Sequence, residues 1–91
     1  MNLQDALYNW LQIRIVAEGR PDDNAAKDTL AFFAQILEED HHLSNVRIAG
    51  LDESLITVQF MQEGQAVSRQ FPREAAEQLL ADIRSNPKYN E

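Results

Sequence analysis

Apolar residues recur with the period of a helix from Leu3 to about Glu18. At about 100° per residue, Leu3, Ala6, Leu7, Trp10, Leu11, Ile13 and Ala17 share one broad face, with Asp5, Asn9 and Gln12 opposite. Tyr8, Ile15 and Val16 fall outside this stripe, which predicts a helix covered on more than one side. Leu11-Gln12-Ile13-Arg14-Ile15 also alternates as a strand would, but the longer period outweighs it. Gly19-Arg20-Pro21 then punctuates the chain. Glycine suits a left-handed residue past a helix end, and proline suits the first turn of the next helix. Asp22 or Asp23 supplies the new N-cap, where a carboxylate meets the positive end of the helix dipole. In this second helix Ala26, Leu30, Phe33 and Leu37 form the stripe, with Ala25, Phe32 and Ile36 beside it, to about Asp40. A short connection makes the two helices antiparallel neighbours and places Trp10 near Leu30, Leu7 near Phe33 and Leu3 near Leu37.

Beyond that point the period changes to two. Val46 and Ile48 alternate with Arg47 and Ala49. Ile56, Val58 and Phe60 alternate with Leu55, Thr57, Gln59 and Met61. Val67 and Phe71 alternate with Ala66, Ser68 and Gln70. The pattern predicts a three-stranded antiparallel meander. A two-residue turn at Glu63-Gly64 pairs Phe60 with Val67, Val58 with Arg69 and Ile56 with Phe71. A three-residue turn at Leu51-Asp52-Glu53 pairs Ile48 with Ile56 and Val46 with Val58. Both registers put the same apolar residues on one face. Pro72 opens a last helix with Ala76, Leu79, Leu80 and Ile83 on its stripe, and Asn86-Pro87 stops it. The expected fold is α+β, in the order helix-helix-strand-strand-strand-helix, with the helices packed on one face of the sheet. Residues 1–86 form the expected single domain, and 87–91 a short polar tail.

Composition narrows the classes of function. A chain of 91 residues makes one domain, and 44% hydrophobic with 25% charged residues is ordinary globular usage, which argues against disorder. Without cysteine there is no disulfide framework, thiolate metal site or cysteine nucleophile. Asp5 stands where a signal peptide would carry positive charge, and no apolar run approaches the ~20 residues of a membrane span. A cytoplasmic protein without a membrane partner is expected. Eight Lys and Arg against fifteen Asp and Glu give a net charge of −7, and the basic residues are scattered. Nucleic acid is therefore not an expected partner, because binding phosphate needs a concentrated cationic patch. The profile resembles that of small, acidic, cysteine-free bacterial proteins as a group, a likeness that carries over no residue.

The strongest hint of chemistry is Glu38-Glu39-Asp40-His41-His42, which holds both histidines of the chain. On a continued helix Glu38 would neighbour His41 at i+3 and His42 at i+4. A Glu-x-x-His pair is the ligand unit of di-iron bundles, which need two such units and two further glutamates; here there is one. No third histidine completes a zinc site. Glu38, His41 and His42 are thus weak metal candidates, and a solvated helix end fits the run better. No metal or other cofactor is expected. Ser44, Ser54, Ser68 and Ser85 lie in no nucleophile-elbow setting, and Gly19, Gly50 and Gly64 are too dispersed for a phosphate loop. Asn86-Pro87-Lys88-Tyr89 matches an N-P-x-Y pattern, too short to specify a partner. Arg14 falls at the edge of the first stripe or within it, and Arg69 on the core face of the third strand, where a rim position would keep its head in water.

The remaining feature is the far sheet face, polar and small except for Leu55 and Met61, which fits a solvent face with two incidental hydrophobes as well as a modest protein-contact surface. Arg47, Leu55, Thr57, Gln59 and Met61 are its candidate contact residues. The expected function is a non-enzymatic protein-interaction or regulatory module, forming a homodimer or meeting another protein. An alternative is an acidic mimic of nucleic acid that occupies a basic cleft, which needs Asp22, Asp23, Asp28, Glu38, Glu39 and Asp40 in one line. A small metal-dependent enzyme using Glu38, His41 and His42 comes third.

Overall fold

The computed structural model describes residues 1–85. The expected stop at Asn86-Pro87, the N-P-x-Y pattern and the tail at 87–91 lie outside the described residues. Helix α1 spans Leu3–Gly19. Asn2 caps it: its side-chain oxygen accepts the Asp5 N–H at 2.8 Å, satisfying a donor that the helix leaves unpaired. Gly19 is the last helical residue, not the left-handed one beyond it. Its lack of a side chain serves packing instead, since a Cβ there would lie 2.7 Å from Leu80 Cδ2 on the last helix.

Helix α2, Asn24–Glu39, begins three residues beyond Pro21, so the proline lies before the helix and not in its first turn. Pro21 and Asp22 form the turn, and Asp23 is the cap. The Asp23 carboxylate accepts the Ala26 N–H at 3.0 Å and the Arg20 Nε–H at 3.1 Å.

Strands β1 (Leu43–Leu51), β2 (Leu55–Gln62) and β3 (Gln65–Pro72) form an antiparallel meander with β2 in the centre. Glu63 and Gly64 both take positive φ, 52° and 79°, as a tight two-residue hairpin requires. The β2–β3 register is the expected one: Phe60 opposite Val67, Val58 opposite Arg69, Ile56 opposite Phe71.

The β1–β2 register corrects the expectation. Ile48 lies opposite Val58, and Leu51 opposite Ile56. The loop is Asp52-Glu53-Ser54, because the Asp52 carboxylate accepts the N–H groups of Ser54 and Leu55, each at 2.7 Å. Irregularities between Ser44 and Arg47, and between Ile48 and Gly50, absorb the difference, with Asn45 left-handed at φ 53°. The partner of Ile48 moves by two positions, so the faces survive: Val46 and Ile48 still pack against the core.

Pro72 ends β3, and α3 runs Arg73–Ser85. Arg73 ties this junction to the β1–β2 loop: its N–H donates to the Ser54 carbonyl at 2.8 Å and its Nη1 to the Asp52 carbonyl at 2.9 Å. The three helices lie against one face of the sheet, with α1 packed between α2 and α3. Leu7, Trp10 and Leu11 of α1 share one core with Leu37, Leu43, Ile56, Val58, Phe60, Phe71 and Ala76. Tyr8, outside the stripe, stacks on Phe71 at 5.9 Å, so α1 is covered on several sides.

One stripe residue is only partly covered. Leu79 is 36% exposed, while Ala76 is buried and Leu80 meets Gly19. No helix among the described residues is long and apolar enough to cross a membrane.

Candidate functional site

The acid-histidine run sits where α2 unwinds. Glu38 and Glu39 close the helix, and the Asp40 N–H donates to the Ile36 carbonyl at 2.9 Å as the last helical bond. His42 then takes φ 59°, a left-handed residue that turns the chain toward β1. Glu38 therefore does not continue in one helix with His41 and His42. Glu38 lines a groove with Trp10, Arg14 and Leu30, and His42 is exposed. His41 is half-buried, its Nε2 enclosed without a protein hydrogen-bond partner. Among the described residues no three His, Asp or Glu side chains are grouped to hold a metal ion.

The acidic residues of the mimic alternative fall at both ends of α2. Asp22 and Asp23 stand at its start, and Glu38, Glu39 and Asp40 at its finish, about 24 Å away along a 16-residue helix. Asp28 lies between them on the same helix as Lys27 and the exposed Phe32. Asp23 is occupied in capping, and the Ala26 N–H, with the Arg20 guanidinium second, holds its carboxyl below the usual carboxylate range.

The candidate contact residues do come together. On the sheet face turned away from the helices, the pairing sets four rows: Ser44–Met61–Ala66, Arg47–Gln59–Ser68, Gly50–Thr57–Gln70 and Leu55–Pro72. Arg47 is the one charged side chain in these rows, and it donates to the Gln59 side-chain oxygen. Leu55, Thr57, Gln59 and Met61 are half-buried between the flanking strands, not standing free in solvent. A groove of about 610 Å³ crosses the β1–β2 irregularity, lined by Asn45, Val46, Arg47, Gln59, Phe60, Met61 and Ala66.

The two arginines of the stripes have plain roles. Arg14 lies at the stripe's edge, its guanidinium 5.8 Å from the Trp10 ring centroid and its Nε 2.7 Å from Glu18. Arg69 is exposed on edge strand β3 and donates to the Ser68 carbonyl at 3.1 Å. A charge on that edge disfavours pairing with another strand. Beside Met1, the exposed large apolar residues among the described residues are Phe32 at 57%, Leu51 at 58% and Leu79, none of which sequence patterning singled out as exposed. The signal for Phe32 was present, because it stands beside the α2 stripe and not within it.

These features define a class, a small α+β domain with helices on one sheet face and a nearly uncharged face left open. No family model matches the chain, and neither the curated proteins nor the solved structures give a match.

Proposed function

We propose that the protein is a non-enzymatic interaction module whose open sheet face meets the same face of a second copy. One observation carries this reading: a chain of net charge −7 keeps a single charge, Arg47, in the rows of that face. Depletion of charge is the compositional mark of an interface centre, since uncharged groups lose little hydration there. The acids stand instead at the rim, with Asp52 and Glu53 in one loop and Glu63 in the other. A two-fold axis along the strands lays β1 over the partner's β3, so Arg47 meets the Ser68 side of the row and not a second Arg47. Strands are roughly 4.8 Å apart and rise about 3.4 Å per residue, so the face covers on the order of 350 Å² per copy. A standard interface takes ~800 Å² per partner. Association is accordingly weak and reversible, as befits a regulatory contact.

Light scattering over a concentration series tests this. The wild-type average mass should rise with concentration, and more steeply at raised salt, which screens the acidic rims. Leu55→Lys with Met61→Lys should remain monomeric with unchanged circular dichroism. A mass rise identical in that variant would remove the face from the interface.

A further inference from the structure

We draw no further inference here: the strongest candidate, the groove between α1, α2 and the edge strand β1 lined by Trp10, Arg14, Leu30, Glu38 and Val46, already pairs its one cation, Arg14, with Glu18, and nothing in the structure shows what covers it.

Discussion

Trp10 holds together what its neighbours only touch. It is 3% exposed, belongs to the common core and lines the α2–β1 groove beside Leu30. Truncating a buried aromatic costs about 3–5 kcal/mol, comparable with the whole stability of a small domain. Trp10→Ala should therefore unfold at a much lower urea midpoint than wild type; a melt within a few degrees of wild type would make α1 peripheral. Two capping carboxylates contribute to the acid response. Backbone N–H groups of Leu55 and Ser54 lower the Asp52 pKa, and Arg73 adds to the effect; Ala26 and Arg20 lower that of Asp23. A carboxyl lowered on folding stabilises the native state above its unfolded value, near 3.8, and that contribution disappears as pH falls through the folded value. Asp23→Asn with Asp52→Asn keeps the acceptor oxygens and removes the titration. Urea midpoints measured from pH 6 down to pH 2 should fall less steeply in this variant than in wild type; parallel curves would assign acid unfolding to other groups.

At the scale of elements, much was legible because local chemistry decided it. Periodicity marked each helix and strand, and Glu63-Gly64 set the β2–β3 register without help from the rest of the fold. What was hidden depended on contacts between elements. The β1–β2 register turned on Asp52 closing its own loop and on Asn45 accepting a left-handed backbone, and neither alters the alternation of apolar positions. Leu79 read as core because a helical stripe does not say which of its edges the next helix reaches; Gly19 draws α1 to the Leu80 side. The contact face was legible as a set of residues, but its isolation as a nearly uncharged surface required the register. Two variants probe these junctions. Arg73→Ala cuts the tie between α3 and the β1–β2 loop and should cost about 1 kcal/mol, since the groups are part-exposed; denaturant unfolding measures it. His42→Gly relieves a left-handed histidine and should raise stability by about 1 kcal/mol. Zinc should leave the melting temperature of wild type unchanged, whereas a ligand site at His41 and His42 would raise it by mass action.

For the whole molecule, edges and faces divide the surface by their fitness for association. Irregularities break the β1 edge, and Arg69 guards the β3 edge, so strand-to-strand pairing is disfavoured on both sides. The acids at the ends of α2 and in the sheet loops repel other acidic chains and polyanions alike. On the proposed reading, the open face between these loops is where like chains approach at least electrostatic cost. Amide chemical shifts followed from about 20 µM to about 1 mM protein test that claim most directly, because they locate the contact as well as detect it. Concentration-dependent shifts should concentrate at Ser44, Arg47, Thr57, Gln59, Met61, Ala66 and Ser68. Shifts that do not change with concentration, or that change only along α2 or α3, would contradict it.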